Sequence, residues 1–194
     1  MKNILEEIKI KAKSLQKTIV LCEGEDRRVI EAAASITKEG IAKIVLIGNE
    51  EECKRVAPEI DLTGVTLIDP LTSDKLTEYA NILYEARKSK GMTEEEALKQ
   101  AKDRTMFGAL MLKAGDVDGY VSGACHSTAN TLRPGLQVVK TAPGIKTVSS
   151  CFIMIAPEGV EHPYNPDGVA VFADCAINIE PDAQQLADIA VSSA

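Results

Sequence analysis

Thr18-Ile-Val-Leu-Cys22 and Lys43-Ile-Val-Leu-Ile-Gly48 are two short, apolar runs rich in β-branched residues. Between them, residues 27–38 place apolar side chains at helical spacing, and Gly40 follows as a residue that ends helices. Strand, helix and strand in this order are typical of a βαβ unit, whose parallel strands are buried on both faces. This stretch alone therefore predicts an α/β fold.

The same periodicities predict further elements on both sides of this unit. They are helices over residues 2–15, 50–57, 74–88 and 93–113, and strands over residues 65–69 and 117–121. Because strands alternate with helices, we expect a doubly wound, mostly parallel sheet sandwiched by helices. Its ligand crevice should lie at the carboxyl ends of the strands.

A change of pattern near Pro143-Gly144 marks a predicted domain boundary. The elements beyond it are strands over 148–155 and 169–173, a Pro- and Gly-rich loop with hairpin-like ends between them, and a helix from Asp182. We therefore expect a first α/β domain over residues 1–144 and the beginning of a second α/β domain over 145–194. About 50 residues are too few for this second unit to bury a core of its own.

Composition argues against several classes of function. The chain has a formal net charge of -7 and no long run of Lys or Arg, so it lacks the concentrated basic surface that nucleic acid needs. The amino-terminal residues are charged, and no apolar run approaches the ~20 residues of a membrane span. We expect a cytoplasmic protein with neither nucleic-acid nor membrane partners.

Cysteine and histidine usage points to a reduced protein without a metal. The five cysteines are Cys22, Cys53, Cys125, Cys151 and Cys175. Because most of them lie within apolar runs, we expect buried thiols in a reducing compartment. The chain has no CxxC pair and only two histidines, so the sequence predicts no metal site.

An unusual segment follows the strand predicted over 117–121. It reads Ser122-Gly-Ala-Cys-His-Ser-Thr-Ala-Asn-Thr-Leu-Arg133-Pro134. Small residues let a ligand approach the backbone, and backbone N–H groups and hydroxyls can donate hydrogen bonds to its oxygens. Arg133 adds a planar charged fork. Residues 119–157 contain no Asp or Glu but three basic residues. The segment therefore predicts a site for phosphate or an acyl phosphate.

Each of these residues also has a plainer interpretation. Ser and Thr after a strand can simply cap the next helix. Cys125 beside His126 suggests a thiol nucleophile, but no orienting carboxylate is evident, so we expect a packed thiol and a histidine that holds the loop by hydrogen bonds. Arg28 could form only a surface ion pair, and Arg87 could complement a helix dipole.

Four stretches together resemble the phosphate acetyltransferase (phosphotransacetylase) family. They are Glu23-Gly-Glu-Asp-Arg-Arg28, Tyr84-Glu-Ala-Arg-Lys-Ser-Lys-Gly-Met92, Gly123-Ala-Cys-His-Ser-Thr-Ala-Asn-Thr-Leu-Arg-Pro134 and Phe172-Ala-Asp-Cys-Ala-Ile-Asn178. The resemblance spans the whole chain. Phosphate butyryltransferases share the fold and a looser form of the central motif, but the His-Ser-Thr and Leu-Arg-Pro elements favour the acetyl enzyme.

This resemblance implies a reversible transfer of acetyl between acetyl phosphate and coenzyme A. It also implies homodimers of two-domain α/β subunits similar to the isocitrate and isopropylmalate dehydrogenases, with the active site in the interdomain cleft. Coenzyme A is a substrate, and no cofactor, metal or covalent enzyme intermediate is required. Arginine and serine donors stabilise the oxyanion and the leaving phosphate.

The resemblance also assigns roles to individual residues. Arg133 corresponds to an active-site arginine near the acyl phosphate, Arg87 to an arginine that binds the 3′-phosphate of coenzyme A, and Arg28 to another arginine associated with coenzyme A. Ser127 falls in the phosphate-contacting loop with two threonines. The catalytic candidates are thus Arg133 and Ser127, and the substrate-binding candidates are Thr128, Thr131, Arg87 and Arg28.

Members of this family are longer than the present chain. Their last part carries the aspartate that takes the thiol proton, together with a serine and an arginine. We therefore expect an incomplete form that is nearly inactive. The alternatives are a phosphate butyryltransferase, an inactive module that binds anions and coenzyme A, and a dehydrogenase of similar architecture. A dehydrogenase would need a metal-binding aspartate cluster and a nicotinamide site, and the sequence shows neither such a cluster nor a GxGxxG motif.

Overall fold

A computed structural model describes residues 4–157, 160 and 168–194. By its internal contacts the chain divides into two compact units, with the division between Lys140 and Thr141. The sequence places a domain boundary at residues 144/145. The first unit contains a four-stranded sheet and the second a two-stranded one.

The helices and strands follow one another much as the sequence predicts. The helices are α1 (Ile4–Leu15), α2 (Arg27–Lys38), α3 (Glu50–Val56), α4 (Leu76–Arg87), α5 (Glu94–Ala101), α6 (Arg104–Ala114), α7 (Thr128–Pro134) and α8 (Ala183–Ser193). The strands are β1 (Thr18–Leu21), β2 (Lys43–Ile47), β3 (Thr66–Ile68), β4 (Gly119–Val121), β5 (Cys151–Ile155) and β6 (Val169–Ala173). Within the described ranges, no helix is both long enough and apolar enough to cross a membrane.

The sheet of the first unit is parallel throughout, in the order β3-β2-β1-β4. In this register Val20 lies beside Val45 on one side and Tyr120 on the other. Parallel neighbours end at the same edge, so the loops after β1 and β4 emerge side by side. The predicted α/β class with a mostly parallel sheet is confirmed.

Successive strand residues point to opposite faces of this sheet, and helices cover both faces. Val20 packs in a cluster with Phe107 of α6, whereas the next residue, Leu21, packs in a second cluster with Ile30 of α2. Burial on both faces explains why these strands read as continuous apolar runs rather than as alternating ones.

The prediction of one helix over residues 93–113 is wrong. The structure ends α5 at Ala101 and begins α6 at Arg104. Asp103 between them is extended, with φ -68° and ψ 133°, and its side chain accepts a hydrogen bond from the Met106 N–H at 2.9 Å. An aspartate in this position starts a new helix. Both helices bury their apolar residues in one cluster, so the apolar pattern gives no sign of the break.

Helix α6 packs closely against the carboxyl ends of the strands. All residues from Thr105 to Met111 are buried. Gly108 makes this approach possible, because a Cβ at that position would lie 2.4 Å from the Cys22 Sγ and 3.2 Å from the Tyr120 Cδ2. The glycine thus places the start of α6 beside the loops after β1 and β4.

In the second unit, β5 and β6 pair antiparallel. The Ala156 N–H donates to the Gly168 carbonyl at 2.7 Å, which confirms the hairpin-like ends of the predicted loop. The loop's Gly159, Pro163 and Pro166 lie outside the described residues. The apolar side chains of β5 remain largely in solvent, with Phe152 59% and Ile155 44% exposed. This agrees with the expectation that the unit lacks a core of its own.

Asp174 organises the loop that follows β6. Its carboxylate accepts hydrogen bonds from the Ser150 hydroxyl at 2.5 Å, the Ala176 N–H at 3.0 Å and the Asn178 N–H at 2.7 Å. These hydrogen bonds, with that of Ser150 the strongest, hold the pKa of Asp174 far below its usual range. The last quoted motif, residues 172–178, is therefore a structured turn around an ionised carboxylate.

All five cysteines are free thiols. The prediction that they are buried holds for Cys22 and Cys53. It is wrong for Cys125 and Cys151, which are exposed, and Cys175 is half-buried. Cys125 lies in the loop after β4. Cys151 lies on β5 of the second unit, where most apolar side chains are exposed to solvent.

The fit between α6 and the sheet can be tested at Gly108. We expect Gly108→Ala to lower the free energy of unfolding by about 1–3 kcal/mol, because the added methyl group overpacks the contact with Cys22. Gly135→Ala is the matched control, since a Cβ there would meet no atom within 4 Å. It should leave stability unchanged or raise it by up to about 1 kcal/mol. Urea unfolding followed by circular dichroism measures both, and equal effects would contradict the packing described here.

Candidate functional site

Glu23 lies directly after β1, and only 2% of its side chain is exposed. Its carboxylate reaches the loop after the neighbouring strand β4. Oε2 accepts hydrogen bonds from the N–H groups of Gly123 at 3.0 Å and Ala124 at 2.9 Å, and Oε1 accepts one from the Cys125 N–H at 3.0 Å. Three successive backbone donors of the loop therefore surround a single buried carboxylate.

The imidazole of His126 completes this set of donors, since its Nδ1 lies 2.7 Å from Glu23 Oε1. Burial raises the pKa of Glu23, but the hydrogen bonds from Cys125, His126 and Ala124 outweigh it and lower the pKa to about 2. Glu23 is therefore ionised at neutral pH. An ionised carboxylate only accepts hydrogen bonds, so Nδ1 of His126 carries a hydrogen. The expectation that His126 holds the loop by hydrogen bonds is confirmed.

These contacts change the role expected for the loop backbone. The sequence predicts that the N–H groups of residues 123–125 face an external anion. This part of the prediction is wrong, because Glu23 already accepts from all three. Successive backbone N–H groups form an anion-binding concavity, and here the protein's own carboxylate fills it. A ligand must use groups farther along the segment.

The hydroxyl groups of the segment lie at the start of α7. Ser127 Oγ accepts a hydrogen bond from the Asn130 N–H at 3.3 Å, so Ser127 caps this helix. Thr131 Oγ1 donates to the Ser127 carbonyl at 3.1 Å. The hydroxyl of Thr128 has no hydrogen-bond partner among the described residues. The capping interpretation is thus correct for Ser127, whose hydroxyl hydrogen stays available to a ligand.

Arg133, near the end of α7, lines a cavity of about 460 Å³. His126, Asn130, Asp103 and Gln137 are among the polar residues around it. Arg133 forms no ion pair or hydrogen bond with any residue that the structure describes. An unpaired guanidinium beside a polar cavity is suited to bind an anion in two parallel hydrogen bonds. The cavity is therefore the candidate substrate site.

Arg28 contacts the same loop from the other side. Its Nη2 lies 2.6 Å from Asp26 Oδ2 and donates to the Ala124 carbonyl at 2.7 Å. The hydrogen bond from Arg28 is the largest cause that lowers the pKa of Asp26, to about 2. The ion-pair interpretation of Arg28 is therefore correct, and the arginine also fixes the loop. Its predicted role toward coenzyme A stays a prediction.

Of the six predicted site residues, only Arg133 lines the cavity, and Arg87 lies outside it together with Ser127, Thr128, Thr131 and Arg28. Arg87 is the last residue of α4. Its Nε is buried and has no hydrogen-bond partner among the described residues. An unsatisfied buried donor is costly and rare. Binding of the 3′-phosphate of coenzyme A by Arg87 stays a prediction.

Cys125 is exposed, so the expectation of a packed thiol is wrong. Its Sγ lies 3.5 Å from Glu23 Oε1 and 3.7 Å from Glu25 Oε1. Partial desolvation and these two carboxylates raise the pKa of the thiol to about 12. Since the thiolate is the reactive form, Cys125 is a poor nucleophile at neutral pH.

Glu23, Cys125 and His126 also have a spacing that a metal ion could bridge, with donor atoms within 4.8 Å of one another. In this structure the carboxylate accepts five hydrogen bonds from the described residues, of which Nδ1 of His126 donates one and the Cys125 thiol another. A metal ion would have to displace these hydrogen bonds and the thiol hydrogen. The three residues are better described as a hydrogen-bond network that orders the loop.

A family model described as phosphate acetyl/butaryl transferase matches residues 3–194. This chain belongs to that family. Its relatives in the family include phosphate acetyltransferases from Acetivibrio thermocellus, 55% identical over 191 residues, and Thermoanaerobacterium thermosaccharolyticum, 50% identical over 192 residues. A solved phosphotransacetylase structure from Streptococcus pyogenes matches with a TM-score of 0.88 at 38% identity.

These matches cover nearly all of this chain but only part of each family member. The two sequence matches span 98% and 99% of this chain and 57% and 58% of the relatives, and the structural match spans 98% and 56%. The chain thus spans somewhat more than half the length of these transferases. The predicted family and α/β fold are confirmed.

Sequence reasoning missed three residues of this candidate site. Glu23 stood in a quoted motif without a role, and Asp103 and Gln137 were not considered. The role of Glu23 depends on the pairing of β1 with β4, which places the residue after β1 beside the loop after β4, and the sequence pattern does not show this pairing. Nothing in the sequence pattern places Asp103 and Gln137 at the cavity, since both depend on how α6 and the helical residues Gly135–Val139 after α7 pack.

The ionisation of Glu23 can be tested through the pH dependence of stability. Its pKa is lowered from 4.5 to about 2, so its stabilisation is complete above about pH 4.5 and is lost as the pH falls toward 2. This loss amounts to about 3 kcal/mol. The free energy of unfolding, measured with urea between pH 7 and pH 3, should change less steeply with pH in Glu23→Gln than in the unsubstituted chain. Glu31→Gln, which removes an exposed carboxylate, should retain that slope. Identical slopes in all three proteins would refute the role of Glu23.

Proposed function

We propose that this chain belongs to a phosphate acetyltransferase, an enzyme that transfers acetyl reversibly between acetyl phosphate and coenzyme A. The observation that carries the proposal is the guanidinium of Arg133, which lies beside a polar cavity and has no ion pair or hydrogen bond within the part of the chain that the structure describes. The relatives named above are phosphate acetyltransferases, which favours acetyl over butyryl as the transferred group.

In this proposal the cavity binds the phosphoryl group. Arg133 can donate two parallel hydrogen bonds to its oxygens, and the free hydroxyl hydrogens of Ser127 and Thr128 are further donors nearby in the chain. As the thiolate of coenzyme A attacks the acetyl carbon, the bond from that carbon to the bridging oxygen breaks. Negative charge then collects on the departing phosphate, where donors already in position stabilise it most.

The proton of the thiol needs an acceptor. The resemblance assigns this role to an aspartate in a part of the family that this chain does not span. Loss of a general base costs about 10²- to 10⁴-fold in rate. We therefore propose that the residues of this chain bind acetyl phosphate and do not include the acceptor of the thiol proton.

The remaining features of the proposal rest on the resemblance. Coenzyme A is a substrate held by Arg87 and Arg28, and the reaction needs no cofactor. The protein acts as a homodimer in the cytoplasm. Support for the role of Arg87 comes from its buried Nε, which lacks a partner among the described residues.

Anion binding at the cavity is tested by titrating the 194-residue chain with acetyl phosphate and following backbone amide resonances. We expect Arg133→Gln to weaken binding by about tenfold or more, because charge-assisted hydrogen bonds to the anion are lost. Arg133→Lys should recover only part of the affinity, since a point charge lacks the fork. Arg55→Gln, an exposed arginine on α3, is the matched control and should bind normally. Unchanged affinity in Arg133→Gln would remove the proposed site.

The roles in turnover are tested in a version of the protein that spans the full length of the relatives and carries these same residues. There, Arg133→Gln should lower kcat by about 10²- to 10³-fold, as when a donor to a developing charge is deleted. Arg87→Gln should mainly raise the KM for coenzyme A. This variant should bind dephospho-coenzyme A almost as well as it binds coenzyme A, because the contact with the 3′-phosphate is already lost. Steady-state assays of acetyl-CoA formation measure both. The assigned roles are reversed if Arg87→Gln abolishes turnover while Arg133→Gln changes only the KM for coenzyme A.

A further inference from the structure

His126 uses only one of its two ring nitrogens in the hydrogen-bond network. Nδ1 donates to Glu23 at 2.7 Å, whereas Nε2 has no hydrogen-bond partner among the described residues. The side chain is 24% exposed and lines the cavity that also contains Arg133. His126 thus borders this cavity with one ring nitrogen that lacks a partner in the described part of the chain.

Glu23 fixes both the orientation of the ring and the position of its hydrogen. The carboxylate is itself held by three backbone N–H groups, so it offers His126 an acceptor that cannot move away. A neutral imidazole with its hydrogen on Nδ1 presents a bare nitrogen at Nε2. Nε2 is then an acceptor, and it needs a donor from the ligand.

Asp103 adds a second acceptor to the same cavity. Its Oδ1 accepts hydrogen bonds from the Met106 N–H and the Thr105 hydroxyl, and Oδ2 has no such partner among the described residues. Beside Arg133, the cavity thus offers acceptors as well as a cation. An anion without any hydrogen to donate would leave these acceptors unpaired.

Hydrogen phosphate and sulfate are both tetrahedral dianions, but only hydrogen phosphate has a hydrogen to donate. Near pH 8, inorganic phosphate is mainly a dianion that retains one O–H group, whereas sulfate is a dianion without one. A site that is built to pair with a ligand O–H rejects the analogue that lacks it, because its own polar group then stays unpaired.

We propose that Nε2 of His126, held by Glu23 as positioning residue, accepts a hydrogen bond from the O–H of hydrogen phosphate and makes the Arg133 cavity select phosphate over sulfate. This rests on the proposed function, since it concerns the phosphate that the transferase would release or consume. Arg133 provides the attraction to any anion, and His126 provides the discrimination between anions. Glu23 contributes only by holding the His126 ring in its orientation with the hydrogen on Nδ1.

Titration of the 194-residue chain with inorganic phosphate and with sulfate near pH 8 tests the proposal. We expect about tenfold tighter binding of phosphate, the size of effect that one unpaired polar group produces. The ¹⁵N resonances of His126 should show Nδ1 protonated and Nε2 bare before the ligand is added. A ring protonated at both nitrogens at this pH would overturn the proposal.

Two variants separate His126 from the other cavity residues. In His126→Asn, the amide nitrogen can replace Nδ1 as donor to Glu23, but nothing replaces Nε2. We expect its amide resonances at residues 123–125 to stay in place while the preference for phosphate falls to about one. Arg133→Lys should weaken the binding of both anions and leave the ratio of their affinities unchanged, because it changes only the electrostatic attraction that both anions share.

The remaining outcomes are equally decisive. A preference for phosphate that survives in His126→Asn would make Asp103 the discriminating acceptor and overturn the role of His126. Equal binding of both anions by the unsubstituted chain would overturn the selectivity while leaving the proposed function in place. Binding of neither anion would overturn the proposed anion site, and this inference with it.

Discussion

The hydrogen bonds to the Glu23 carboxylate connect the sheet to the site. A buried charge is costly unless donors surround it, and here three backbone N–H groups and one imidazole do so. These donors come from the loop after β4, while the carboxylate comes from the end of β1. Adjacent parallel strands therefore bring both to the same edge, and the loop is ordered before any ligand arrives. Binding then does not have to meet the entropy cost of ordering it.

Most of the fold could be predicted because it depends on local patterns. The apolar runs of β1 and β2 are continuous since both sheet faces are covered, and α2 begins and ends where its cap residues stand. The break between α5 and α6 could not be read in the same way. Asp103 lies within a polar stretch of an otherwise regular apolar pattern, and only its backbone conformation shows that one helix ends and another begins.

The site could be predicted in its location and only partly in its contacts. Small residues after β4 correctly indicated a loop whose successive N–H groups surround an anionic group, and Arg133 does line a cavity. The sequence could not show which acceptor those donors would meet, because an internal carboxylate and an external phosphate satisfy them equally well. Arg28 illustrates the same limit, since its charge is shared between Asp26 and the loop carbonyl. Exposure of Cys125 likewise follows from packing around it and not from its neighbours in sequence.

The pair of strands β5 and β6 has a practical consequence for the 194-residue polypeptide. Cys151-Phe-Ile-Met-Ile155 and Val169-Ala-Val-Phe-Ala173 contain no charge, proline or glycine, and most of their side chains are in solvent. Short segments of this composition with open edges tend to add strands from neighbouring molecules. Solubility should therefore fall steeply with concentration even while the first unit remains folded. Dilute samples, or a charged residue placed on β5, would limit this aggregation.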